Sequence, residues 1–152
     1  MFRSAIAACA LASLVSSALA AGFTFSIGSP VASQDFRSKS AAFVFRTEGC
    51  ADTVKPQITG TAEGLVNGAR QSVALKLVET SRPGVYAVNQ NWPPEGEWVI
   101  ALQGKCADAN AGAIVPIGPN GFVRESSKFF PRPATNAEIE TSLKALAQGK
   151  NK

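Results

Sequence analysis

Few side chains in this sequence have the types and spacing that chemistry requires. Glu95 and Glu97 flank Gly96, and on a tight turn two carboxylates so placed would converge for acid/base work or calcium binding. No companion acids stand near them, so they read as solvated turn charges. Asp108 and Asn110, one acid and one amide on a loop beside Cys106, fall short of a calcium loop. Ser126-Ser127-Lys128 sets hydroxyls beside an amine, but no motif of a Ser-Lys catalytic pair surrounds it. The chain has no His, which excludes the Ser-His-Asp triad, the Cys-His dyad and every His-based metal site. Neither G-x-x-x-x-G-K-S/T nor G-x-G-x-x-G occurs, so there is no glycine-rich cradle for phosphates. The expectation is a protein that is not an enzyme, with no cofactor and no metal site.

Cys50 and Cys106 carry the remaining chemistry, and how they are read depends on compartment. Met1-Phe2-Arg3 is a short positive start, Ala5 to Val15 is apolar, and Ala18-Leu19-Ala20 has the form of a cleavage site. Residues 1–20 are therefore expected to be a signal peptide cut after Ala20, with the product periplasmic or secreted. A membrane anchor would need about 20 apolar residues, and Ser13, Ser16 and Ser17 interrupt a shorter stretch here. Ile6-Ala7-Ala8-Cys9 has the look of a lipobox, but it leaves almost no apolar region between Arg3 and the cysteine. No other run would span a membrane. Removing the signal takes Arg3 and Cys9 with it and leaves exactly two cysteines. An even pair in an exported chain reads as one structural disulfide. Closing a loop of about 57 residues, it would stabilise the fold by roughly 4 kcal/mol in the chain-entropy view. A reactive thiol is the alternative, but neither cysteine has a Cys-x-x-Cys partner or a His to lower its pKa.

The net charge is +4 for the whole chain, and loss of Arg3 makes it +3, spread along the sequence. Its densest stretch, Arg124 to Arg132, holds Arg124, Lys128 and Arg132 against Glu125. Nucleic acid would call for a basic stripe with interleaved aromatics on a protein that meets nucleic acid, so that partner is set aside.

The elements that must position these residues are mostly strands. At 45% hydrophobic and 17% charged residues, the chain is suited to a single folded domain. Phe23, Phe25 and Ile27 alternate with polar residues as a possible first strand, followed by a polar loop over Ser33 to Ser40. Ala42 to Thr47 is an aromatic and β-branched run, and Gln57 to Glu63 alternates with the period of two of a half-buried strand. Asn67-Gly68 is a turn dipeptide. Ser72 to Thr80 alternates with Val73, Leu75 and Leu77 inward, Pro83-Gly84 turns the chain into Val85 to Asn89, and Pro93 to Gly96 breaks it before Trp98 to Gln103. Ala107 to Gly112, small and polar, reads as loop. Ala113 to Ile117 and Gly121 to Val123 would form a hairpin about Gly118-Pro119-Asn120-Gly121. Turns at this spacing, without a helical stripe between them, predict an all-β antiparallel sandwich of immunoglobulin-like type. Pro131 and Pro133 fence off a tail in which Thr135 and Glu138 form a capping box and Ile139, Leu143 and Leu146 recur at helical spacing. That predicts a short amphipathic helix from Asn136 to about Gln148, either packed on its own domain or docked on a partner. The expected divisions are 1–20 signal peptide, 21–40 extended segment, 41–130 sandwich, and 131–152 helix and tail.

Pro83-Gly84-Val85-Tyr86, followed by Pro93-Pro94-Glu95-Gly96-Glu97-Trp98, resembles the punctuation of small extracytoplasmic immunoglobulin-like domains of the YtkA-like and CopC-like kind. There, a PGxY strand leads to a P-x-x-G-x-W/Y hairpin and a final core strand. The similarity covers roughly 41–105, with Lys76 to Leu102 carrying most of it. It implies an immunoglobulin-like fold. Several members of that group handle copper through His and Met, and this chain has no His and only the initiator Met, so the fold carries over and the copper role does not.

Trp98 shares its phase with Ile100 and Leu102 and reads as the core tryptophan, and Tyr86 as a buried ring with its hydroxyl bonded to backbone. Trp92, in Asn91-Trp92-Pro93-Pro94 at a hairpin tip, either caps the core or presents an exposed anchor, and is the candidate partner-binding residue. The functional expectation is a non-enzymatic binding or accessory module of the bacterial cell envelope, its partner an envelope protein or glycan. The alternatives are a copper-handling protein of CopC-like type, detectable by metal titration, and a hydrolase using Ser127 or Glu97.

Overall fold

The structure, a computed structural model, describes residues 22–30 and 35–149; the expected signal peptide lies outside them. Two antiparallel sheets face each other. The first contains, in spatial order, β1 (Thr24–Gly28), β2 (Ala41–Glu48), β6 (Val85–Asn89) and β5 (Leu77–Glu79). In the second, β10 (Lys128–Phe130), β8 (Ala109–Gly118), β7 (Glu97–Cys106), β3 (Gln57–Val66) and β4 (Ala69–Ala74) follow one another, and β9 (Gly121–Phe122) pairs with the end of β8. Four strands in the order first-second-sixth-fifth, against fourth-third-seventh-eighth, is the immunoglobulin arrangement, here with β10 added at one edge. The sandwich thus begins at β1, ahead of the expected boundary at residue 41.

Alternation explains which side chains meet between the sheets. Phe25, Ile27, Phe43, Phe45 and Val88 point in from the first sheet, and Trp98, Ile100, Leu102, Ala113 and Val115 from the second. Phe25 meets Phe45 edge-on, with ring centroids 5.5 Å apart, and Phe45 stacks on Tyr86 at 5.2 Å. Trp98 lies against β3 at Gly64, where a Cβ would stand 2.5 Å from its ring carbons, and its indole N–H donates to the Glu95 carbonyl at 2.7 Å. The Pro93–Gly96 punctuation therefore serves to seat this ring.

Two strand expectations are corrected. Ser72 to Thr80 is not one strand: β4 pairs with β3 and β5 with β6, so the chain changes sheets around Leu75 and Lys76. An alternating pattern survives such a crossing because Val73, Leu75 and Leu77 all pack against the core between the sheets. Of the expected loop 107–112, only residues 107 and 108 turn, and 109–112 are strand. Ala107 adopts a left-handed φ of 52° in a tight turn, and β8 starts at Ala109. Its small residues reflect crowding on both faces. Ala111 and Ala113 are wholly buried in the core, while a side chain at Gly112 would collide with the Arg132 carbonyl of the segment crossing the outer face.

That crossing delivers α1 (Asn136–Gly149) to the outer face of the second sheet, where Ile139 and Leu143 pack on Val99 and Ile114. The capping box forms as expected: the Glu138 N–H donates to Thr135 Oγ1 (3.3 Å), and the Thr135 N–H donates to Glu138 Oε2 (2.8 Å). Arg132 grips the same carboxylate with two nitrogens, at 2.9 and 2.7 Å. Hydrogen bonding from Arg132, then from the Thr135 N–H, holds the Glu138 carboxyl down at about 2. Asp35 is also held at about 2, first by the Ser81 N–H, which ties the 35–40 segment to the turn before β6.

Two outcomes are expected. Gly64→Ala should lower stability in urea by about 1–3 kcal/mol because Trp98 must move. Gly28→Ala, whose Cβ would make only an ordinary 3.5 Å contact with Val44, should change it by less than about 0.5 kcal/mol. Because the folded pKa of Glu138 lies below its ordinary 4.5, its support of the helix start is complete above that value and is lost as pH falls through about 2. A carboxyl NMR titration of Glu138 with its midpoint near 4.5 would disprove the clamp.

Candidate functional site

The strand directions bring three connections to one end of the sandwich: residues 49–56 after β2, 80–84 before β6, and the turn at 107–108 after β7. The Cys50–Cys106 disulfide forms at this end, with its Cα atoms 5.9 Å apart, and joins the chain just beyond β2 in one sheet to the last residue of β7 in the other. Cys106 is buried and Cys50 half-buried.

Between the 50–56 loop and the 79–84 turn lies a cleft of about 380 Å³, within the size range of small-ligand pockets. Local backbone bonds shape both walls. The Val54 N–H donates to the Ala51 carbonyl at 2.9 Å, and the Thr47 N–H donates to the Gly84 carbonyl at 3.0 Å. Lys55 Nζ and Glu79 Oε2 meet at 3.5 Å, pairing one wall with the other. Both side chains are largely exposed, so the pair orients more than it stabilises. Tyr86 lines the cleft with one face already stacked on Phe45. Burial, with Glu79 nearby, pushes its phenol pKa up, so the hydroxyl stays protonated and able to donate. Cys50 lines the wall as a disulfide and has no thiolate to offer. The cleft can hold a ligand by the hydroxyls of Tyr86 and Thr53, charges of both signs and the exposed Val54; it has no activated nucleophile to offer from Cys50.

Trp92, Glu95, Glu97 and Ser127, also singled out in the sequence, lie elsewhere. Trp92 sits in the connection from β6 to β7, at the other end of the sandwich, and is only 5% exposed, packed in the main core cluster. Its exposure as a partner anchor is therefore corrected: the ring caps the core, because apolar area at this tip is covered by the sandwich itself. Glu95 is exposed, and its backbone carbonyl holds Trp98; Glu97 is half-buried at the start of β7, opposite Leu65. Ser127 Oγ donates to the Val123 carbonyl at 2.9 Å. In the basic stretch, Arg132 is paired with Glu138 and Arg124 lies over Phe122. Among the described residues, no group of three or more His, Cys, Asp or Glu could hold a metal, and no helix is long and apolar enough to cross a membrane. Glu79 and Tyr86 are cross-strand partners about the Pro83-Gly84 turn, whereas nothing in the sequence joins Lys55, from another connection, to them.

No family model matches the chain, and comparisons with curated proteins and with solved structures find no match either.

Replacing Cys50 and Cys106 together by Ala should lower stability by about 4 kcal/mol in urea. Exchange of the Val54 amide, which closes the 51–54 turn, should accelerate more than that of β7 amides. Uniform acceleration would show that the bridge supports the whole fold without ordering the cleft wall.

Proposed function

We propose that this protein is an exported, non-enzymatic binding module of the cell envelope that takes a segment of a partner protein into the cleft at the disulfide end. The observation that carries the reading is the cleft itself, whose wall is a loop anchored across the two sheets by Cys50–Cys106. Export is supported by the apolar N-terminal stretch ending in Ala18-Leu19-Ala20 and by a disulfide, a bond that persists in oxidising compartments. A polypeptide fits better than a glycan. Sugar rings are gripped on free aromatic faces, and Tyr86 has one face on Phe45, whereas Lys55, Glu79 and Val54 present the charges and apolar surface that a peptide segment matches.

The test is photo-crosslinking in the expressing cell, with a photoreactive residue at Thr53 in the cleft wall and, as control, at Pro94 on the opposite end. A discrete envelope protein crosslinked from Thr53, lost on Lys55→Glu and absent from Pro94, is expected. The recovered protein should have a mass that begins at Ala21 and is two hydrogens light until reduced. Identical crosslinks from both ends, an unprocessed chain, or a processed chain with two free thiols would overturn the reading.

A further inference from the structure

The buried strip of α1 contains one residue that helix packing does not account for. Ile139, Ser142, Leu143 and Leu146 share the face turned toward the sheet, where an apolar side chain is the rule at every position. Ser142 is 4% exposed, and its Oγ has no hydrogen-bond partner. A helical hydroxyl ordinarily escapes that penalty by donating to the carbonyl four residues back, as Thr141 does to Ala137 at 2.8 Å. Ser142 does not.

It lines instead a cavity of about 260 Å³ between α1 and the β8–β10 edge. Pro116, Ala145 and Leu146 supply apolar wall, and Ser126 and Lys128 the remaining polar groups. Among the described residues Lys128 is the only charged one lining it, and each of the three polar side chains can donate a hydrogen bond. A site with an apolar body, one cationic donor and two hydroxyls free to donate favours an anionic head on an apolar chain. We propose that this cavity binds a small amphiphilic carboxylate of the short-chain fatty acid class, its alkyl chain against Pro116 and Leu146 and its carboxylate accepting from Lys128 Nζ and the serine hydroxyls. The volume equals about nine waters of liquid, enough for such a molecule and too small for a long acyl chain. No residue is shared with the disulfide-end cleft, so this site stands or falls independently of the function proposed above.

The test uses the full mature chain, titrated with sodium hexanoate and, separately, with hexan-1-ol at matched ionic strength, followed by amide NMR and thermal unfolding. Hexanoate should produce saturable shifts at Ser126, Lys128, Ser142 and Ala145, and Lys128→Gln should weaken it about tenfold. Ser142→Ala should raise the Tm of the free protein by about 3 °C, because it removes an unpartnered buried hydroxyl, while weakening hexanoate. A lower Tm for Ser142→Ala would show that the hydroxyl already has a partner, such as a trapped water, and would overturn the proposal. Equal binding of hexan-1-ol, or no saturable shift with hexanoate, would overturn it as well.

Discussion

Trp98 can lie flat against β3 only because its cross-strand partner, residue 64, has no side chain. The same arrangement recurs along β7, where a Cβ at Gly104 would meet the rings of Phe23 and Phe25. Large aromatics from one strand are thus received by bare backbone on another, which keeps the interior at native packing density without widening the sandwich. Ile100 and Leu102 fill the space between these two points, and Cys106 ends the strand in the covalent link to Cys50. β7 is in this sense the spine of the molecule: packing holds its beginning and middle, and a bond to the opposite sheet holds its end.

With both inner faces occupied, the two ends and the outer faces are what remain for binding. The end carrying Trp92 is closed by that ring. The opposite end is open, and the disulfide makes its longest connection a wall rather than a free loop. On the outer face of the second sheet, α1 covers Val99 and Ile114 and leaves a cavity beyond Ser142. The helix gets there because Gly112 lets residues 132–134 cross β8 at backbone contact, and the Arg132–Glu138–Thr135 cluster then starts the helix at that point. A buried, unpartnered hydroxyl in an otherwise apolar interface is a cost that packing alone gives no reason to keep.

Several of the residues singled out in the sequence are held in local structure. Ser127 is tied to a backbone carbonyl, the Glu95 carbonyl anchors an indole, and both cysteines are in one bridge.

Much of the frame was legible from the sequence alone. Alternation at Phe43–Phe45 and Trp98–Leu102, the Asn67-Gly68 turn, the capping box at Thr135 and the pair of cysteines are local or combinatorial signals, and each specified its element, turn, cap or bridge without help from distant residues. Tertiary structure decided the rest, for reasons that local pattern cannot encode. The switch of Ser72–Thr80 from one sheet to the other is invisible because alternation continues through it, and the small residues at 109–113 look like loop until the segments crowding both their faces are in place. Trp92 could be read either way because its exposure depends on what the rest of the sandwich puts around it. Lys55 is brought to the Glu79–Tyr86 pair only by the folding of two connections to one end, and Ser142 becomes conspicuous only once its helix has a sheet beneath it.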